Sequence, residues 1–241
     1  MKNLEKGSED SWKQIDEDDQ MSEEKKIRVM IVDDHPIMRH GLVQLIDAQP
    51  ELEVCSLAGT AAEALAAISA AQPELALVDI SLPDRNGLEL LKDIHAQYPK
   101  VKVLIVSMHD ESLYAERALR AGARGYIMKE EAANKLIEAI RTVLDGHIYV
   151  SGEMSARIIE MISGNSGDPQ AAPLSRLSDR ELEVFEEIGR GKATREMAEM
   201  MGISARTIDA HRAHIKKKLG LKDGSELVRY AVRWVEAGVL D

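Results

Sequence analysis

The chain has 241 residues, 31 Lys+Arg against 42 Asp+Glu, a net charge of −11 and one cysteine. That length makes one large domain or two ordinary ones, and the lone Cys55 excludes an internal disulfide framework or a zinc site built on several cysteines. No apolar run approaches the roughly 18 residues of a membrane span, the acidic N-terminus has no signal-peptide h-region, and a cytoplasmic protein with no membrane partner is expected.

Residues 1–26 mix Glu, Asp, Ser, Lys and Gln with few apolar side chains, so a disordered acidic tail is expected. Ile27–Val32 is an apolar run ending in Asp33-Asp34, and Pro36–Ala48 places Ile37, Met38, Leu42, Leu45 and Ile46 at helical spacing. Val54–Ala58 reads as a strand, 60–71 as an Ala-rich helix, and Leu75–Val78 as a strand ending in Asp79. A helix over Gly87–Gln97 precedes the strand Val101–Val106, which ends in Ser107. Helix 111–121 leads to the strand Gly125–Met128, which ends in Lys129, and helix 131–145 carries Leu136, Ile137, Ile140, Val143 and Leu144 on one stripe. Five strands alternating with five helices predict a flavodoxin-like α/β domain over 27–147, its parallel sheet covered on both faces.

Residues 148–174 are expected to form a linker, partly helical and then flexible, because Ser163–Pro173 is rich in breakers and poor in core-forming residues. A small all-α domain is expected over 175–241. Ser178, with Glu181 three residues on, has the pattern of a capping box, and the helix it opens points Leu182, Phe185 and Ile188 inward until Gly191 stops it. Thr194–Met201 is a second helix, Gly202-Ile203-Ser204 a tight turn, and a third helix runs to Leu219-Gly220 with Ile208, Ile215 and Leu219 inside. Two helices joined by a short Gly-containing turn, the second one basic, make a helix-turn-helix. A last helix, Ser225–Ala237, carries Leu227, Val228, Ala231, Val232 and Val235 in one stripe.

Charge is unevenly placed along these parts. Residues 1–26 hold 5 basic and 9 acidic side chains and 27–150 hold 12 and 18, whereas 174–241 hold 13 and 12. Within the last part, Ala205–Leu219 sets Arg206, Arg212, Lys216, Lys217 and Lys218 against Asp209 alone, a footprint suited to DNA phosphates. Thr207, Asp209, Ala210, Arg212, Ala213 and Lys216 fall on or near the outer face, where they reach a major groove, while Lys217, Lys218 and the helix N-terminus suit phosphates. With aromatics at 3% of the chain, stacking on single strands is not expected.

Asp33, Asp34, Asp79, Ser107 and Lys129 all lie at strand carboxyl ends, which share one edge of an open α/β sheet. Three carboxylates gathered there repel unless a cation sits among them, and all-oxygen donors favour a hard divalent ion such as Mg²⁺. Such an ion would neutralise an incoming phosphoryl group and let a carboxylate attack phosphorus, giving an aspartyl phosphate. A rotating hydroxyl (Ser107) and a point positive charge (Lys129) suit the phosphoryl oxygens.

Over about 27–145 the sequence resembles the receiver domain of two-component response regulators. The resemblance is carried by Val32-Asp-Asp-His-Pro36, Val78-Asp-Ile-Ser-Leu-Pro-Asp-Arg-Asn-Gly87, Val106-Ser-Met108 and Gly125-Tyr-Ile-Met-Lys129. It implies Asp79 as phosphoacceptor from a sensor histidine kinase, Asp33 and Asp34 as the acidic pair holding Mg²⁺, and the Ser81 backbone carbonyl completing that site. It also implies Ser107 as the hydroxyl that moves toward the phosphoryl group and Tyr126 as the switch aromatic. Glu130 departs from the pattern, since many receivers have proline and a cis peptide bond after the lysine. His35, beside Pro36 at a helix start, reads as structural.

Over about 174–238 the sequence resembles the LuxR/FixJ-type (NarL-like) DNA-binding domain, through Leu177–Val184, Gly191–Ala198 and Ser204–Ile215. The resemblance implies that the last helix supplies a dimer contact, and a twofold dimer matches palindromic or repeated half-sites. His211 belongs to the family pattern. Asp209 stands where many relatives carry a basic residue. The expectation is a phosphorylation-controlled transcription regulator, not an enzyme, that binds double-stranded DNA as a homodimer. Two rivals stand beside it. A haloacid-dehalogenase-like phosphatase needs a second carboxylate where Ser81 stands, and a regulator that binds DNA regardless of phosphorylation would use its receiver as a dimerisation or protein-docking unit.

Overall fold

The computed structural model describes residues 26–163, 171–174 and 176–239. The expected tail over 1–26, apart from Lys26, and most of the breaker-rich stretch lie outside the described residues.

The first part alternates strand and helix as expected: β1 (Ile27–Val32), α1 (Pro36–Asp47), β2 (Leu52–Ala58), α2 (Ala61–Ala71), β3 (Leu75–Val78), α3 (Gly87–Gln97), β4 (Lys102–Ser107), α4 (Glu111–Arg120), β5 (Gly125–Met128) and α5 (Lys129–Leu144). The strands form one parallel sheet in the order β2-β1-β3-β4-β5. Most boundaries fall within one residue of the sequence expectation, and two differ by more. β2 begins two residues early because Leu52 is buried and pairs with Ile27, extending the ladder. α5 begins at Lys129, so that lysine opens a helix instead of ending a strand. The peptide bonds are all trans among the described residues, so the departure at Glu130 carries no cis bond.

Strands β1, β3 and β4 are apolar almost throughout because both faces of the sheet are covered. One face packs Val29, Ile31, Leu77, Leu104 and Val106 against Leu42 and Ile46 of α1 and Leu136, Ile140 and Val143 of α5. The other packs Met30, Val32, Val78 and Ile105 against α2, α3 and α4. That second core does not stop at the domain edge. It continues through Met154 of α6 (Gly152–Ile162), Leu174 of the one-turn α7 (Ala171–Leu174) and Leu177 into the C-terminal helices.

Those helices are α8 (Asp179–Gly189), α9 (Thr194–Met200), α10 (Ala205–Leu219) and α11 (Gly224–Val239). The expected capping box is formed: Ser178 Oγ accepts from Glu181 N–H at 3.3 Å, and Glu181 Oε2 accepts from Ser178 N–H at 2.7 Å. Ser204 caps α10, and Gly220 ends it in the left-handed conformation at φ 70°. Leu182, Phe185 and Ile188 are buried with Ile208, Ile215, Leu227 and Ala231, and the Phe185 ring lies against Tyr230 and Trp234. Among the described residues no helix is long and apolar enough to cross a membrane.

One glycine fixes the loop that carries Asp79. Gly87 N–H donates to the Ile80 carbonyl at 2.7 Å, and a Cβ at position 87 would stand 1.9 Å from the Asp79 carbonyl oxygen. Backbone on backbone cannot yield as a flexible side chain does. Gly87→Ala is therefore expected to destabilise the protein by about 2 kcal/mol or more. Urea unfolding checks this, and a loss below about 0.5 kcal/mol would contradict so close a packing.

Candidate functional site

The acidic cluster forms because β1 and β3 are neighbours in the sheet and both end at one edge. Asp33 and Asp79 are buried, Asp34 is half-buried and His35 is exposed, and ligand atoms of all four lie within 4.8 Å of one another. Lys129 reaches the cluster from the start of α5, placing Nζ 2.7 Å from both Asp33 Oδ2 and Asp79 Oδ2. Ser81 N–H donates to Asp79 Oδ1 at 3.3 Å. His35, set aside in the sequence as structural, caps no helix bond. Its N–H donates to Asp33 Oδ1 at 2.7 Å, and its Nδ1 stands 2.6 Å from Asp34 Oδ1. The Arg39 guanidinium holds the Asp33 carbonyl from the first turn of α1.

Burial pushes the Asp79 carboxyl above its ordinary range, and the ammonium of Lys129 only partly opposes this. For Lys129 burial works downward, but Asp79 and Asp33 more than compensate, so its proton is held more tightly than usual. One ammonium thus serves two buried carboxylates, with a third beside them. Oxygen donors of this kind, in excess of the positive charge nearby, fit a hard divalent cation.

Ser107 is fully buried at the end of β4, where its Oγ accepts from His109 N–H at 3.2 Å. Tyr126 is also fully buried, and its hydroxyl donates to the His109 carbonyl at 2.7 Å. Burial holds the Tyr126 proton well above its ordinary range, with the Ser107 hydroxyl working the other way. Both side chains therefore grip the segment after β4.

On α10, Arg206, Thr207, Asp209, Ala210, Ala213 and Lys217 are exposed, and Arg212 and Lys216 are half-buried. Lys218, expected at phosphates, is instead engaged by Glu181 Oε2 at 2.5 Å. Burial raises the Glu181 proton affinity, but the Lys218 bond and the Ser178 cap lower it further, to a net value below the usual range. Along α11, Leu227 and Ala231 are core while Val228 is exposed, so one edge of the expected stripe stays open.

The sequence did not reveal the contact between the two domains. Every residue from Glu181 to Ile188 is buried, including Glu183, Glu186 and Glu187. Asn86 Nδ2 donates to Glu183 Oε2 at 3.2 Å, Lys92 pairs with Asp179 at 2.9 Å, and Arg117 bonds Asp179 and the carbonyls of Leu174 and Leu177. His109 Nδ1 is 2.7 Å from Glu186 Oε2, which also accepts from the Tyr114 hydroxyl at 3.2 Å. The Gly202 turn packs on the Pro83 carbonyl. No strand pattern pointed to His109, which lies in the bend after β4 has ended at Ser107. The inward glutamates of α8 gave no signal either, because a polar partner on another domain leaves no local pattern.

The chain matches the sequence profile of the response regulator receiver domain over residues 29–141. It matches that of the luxR family of bacterial regulatory proteins over 175–231. It is 35% identical over 211 residues to the oxygen regulatory protein NreC of Staphylococcus carnosus, covering 86% of this chain and 97% of that protein. A solved two-component response regulator of the LuxR family from an Aurantimonas species is 33% identical, with a TM-score of 0.54, over 58% of this chain and 99% of that one. The response regulator RcsB of Salmonella typhimurium shares the fold at 22% identity, with a TM-score of 0.63, over 87% of this chain and 98% of that one.

The Glu181–Lys218 pair carries a pH dependence with a definite sign. A carboxyl lowered in the folded state contributes stability above its unfolded value, and that stability is lost as pH falls through the folded value. Glu181→Gln is therefore expected to lower urea stability near pH 7 and to narrow its gap from wild type as pH falls below about 4.5. A gap that stays constant over that range would contradict the ion pair.

Proposed function

The chain belongs to the response regulators that join a receiver domain to a luxR-type DNA-binding domain, and on that premise we propose that Asp79 is its phosphoacceptor and α10 its DNA-reading helix. The observation that carries the proposal is the buried meeting of Asp33, Asp79 and Lys129, with Asp34 beside them, at one sheet edge. Asp33, Asp34, Asp79 and the Ser81 carbonyl would hold Mg²⁺, which supplies charge neutralisation for an incoming phosphoryl group. The Asp79 carboxylate forms the new P–O bond as the bond from phosphorus to the donor breaks, and the electron pair leaves with the donor. A sensor histidine kinase, whose phosphorylated imidazole is a good leaving group, is the partner this chemistry calls for. Lys129, already against Asp79, faces the phosphoryl oxygens.

Ser107 and Tyr126, which grip the segment around His109, would turn phosphorylation into a movement of that segment. His109 bears directly on α8, so the movement alters how the DNA-binding domain is docked. The docked arrangement leaves Arg206, Thr207, Asp209, Ala210, Ala213 and Lys217 uncovered, with Arg212 and Lys216 at their border. Control therefore acts on the orientation and pairing of DNA-binding domains more than by masking the reading helix. Two copies paired along α11 would read palindromic or repeated half-sites in double-stranded DNA. The boundaries that go with this reading are 27–147 for the receiver, 148–174 for the linker and 175–241 for the DNA-binding domain, in a cytoplasmic protein.

Incubation of the full chain with acetyl phosphate and Mg²⁺, followed by intact mass measurement, tests the assignment. Wild type should gain one phosphoryl group and Asp79→Ala none, and chelation of Mg²⁺ should slow labelling at least about tenfold. Equal labelling of Asp79→Ala would remove Asp79 as the acceptor.

A further inference from the structure

The His109 side chain bonds the loop after Asp79 on one side and the DNA-binding domain on the other. Its ring is 4% exposed and lies 4.6 Å, centroid to centroid, from the Tyr114 ring. Nδ1 meets Glu186 Oε2 at 2.7 Å and Nε2 meets Ser81 Oγ at 2.8 Å. Ser81 N–H in turn donates to Asp79 Oδ1 at 3.3 Å. An unbroken path of side-chain and backbone bonds thus runs from α8 to the carboxyl of Asp79. It enters through the loop after β3, and is separate from Ser107 and Tyr126, which reach His109 only at its backbone.

The link at α8 resists small displacement. Glu186 is 3% exposed, with its other oxygen bonded by Arg190 at 2.6 Å, so loss of His109 leaves a carboxylate buried short of a partner. Such a group has a docked and an undocked arrangement and little between. Ser81 stands between that bistable contact and Asp79.

We infer that Glu186, on the DNA-binding domain, is a positioning residue for Asp79, acting through His109 and Ser81 to hold the loop after β3 in a pose that opposes phosphorylation. The inference rests on Asp79 being the phosphoacceptor. Linkage makes the effect reciprocal: whatever factor docking takes from the phosphorylated form, phosphorylation takes from docking.

The test is a thermodynamic cycle on the full chain, with beryllium trifluoride and Mg²⁺ as a phosphoryl mimic and its affinity read by fluorine NMR. Glu186→Gln should tighten binding about fivefold or more in the wild-type background. In a Ser81→Ala background, where the path is cut beyond His109, the same substitution should change affinity less than about twofold. The cycle repeated in a His109→Ala background gives an independent reading, with the same loss of effect expected. An equal Glu186→Gln effect in all backgrounds would show that the domain acts as a whole without the path, and no effect in any would remove the coupling. Either result overturns the inference while leaving the acceptor intact. If instead Asp79→Ala binds the mimic as wild type does, the acceptor assignment itself has failed.

Discussion

Glu186 places a carboxylate where water does not reach, and the relation between the two domains depends on how that charge is met. Burial alone would raise its proton affinity, but the bonds and charges of His109, Arg190 and Tyr114 bring it below the ordinary range. The same pairing raises His109 against the downward pull of its own burial. Removing one partner of such a pair costs about 3–5 kcal/mol, far more than a surface ion pair is worth. The contact is therefore selective: it holds one docked geometry firmly and tolerates few neighbouring ones. Asn86 with Glu183, and Arg117 and Lys92 with Asp179, fix the same pose from two further points.

This arrangement explains why the chain's acidity is misleading as a single figure. A net charge of −11 argues against a DNA partner only if the charge is spread evenly. In the fold, Glu183, Glu186 and Glu187 are buried on α8, whereas Arg206 and Lys217 stand exposed on α10. Asp179, Glu183 and Glu186 serve docking, while Arg206 and Lys217 remain uncovered. Lys218 of the same helix is engaged by Glu181.

The α/β order, the three strand-end aspartates and the helix-turn-helix were legible because each leaves a local trace: alternating apolar runs, an acid closing a strand, a cap followed by a turn glycine. Leu75–Val78 and Gly125–Met128 match the structure end for end, since both are short and bounded by breakers or charges. The interface was not legible. Glu186 is an ordinary helix acid until His109, 77 residues away in the chain, is brought against it. The contacts of His35 were hidden for a related reason: its proximity to Pro36 was visible, but the approach of Asp34 Oδ1 to its ring depends on the turn between β1 and α1.

On the proposed reading, a phosphoryl group on Asp79 loosens α8 from the receiver. The distance between the domains reports on this most directly. Spin labels at Leu57→Cys in the receiver and Met200→Cys in the DNA-binding domain, both exposed sites, in a Cys55→Ser background would give that distance by double electron–electron resonance. One narrow distance is expected in the unmodified chain, and a longer, broader distribution after acetyl phosphate and Mg²⁺. The same narrow distance before and after complete phosphorylation would contradict it.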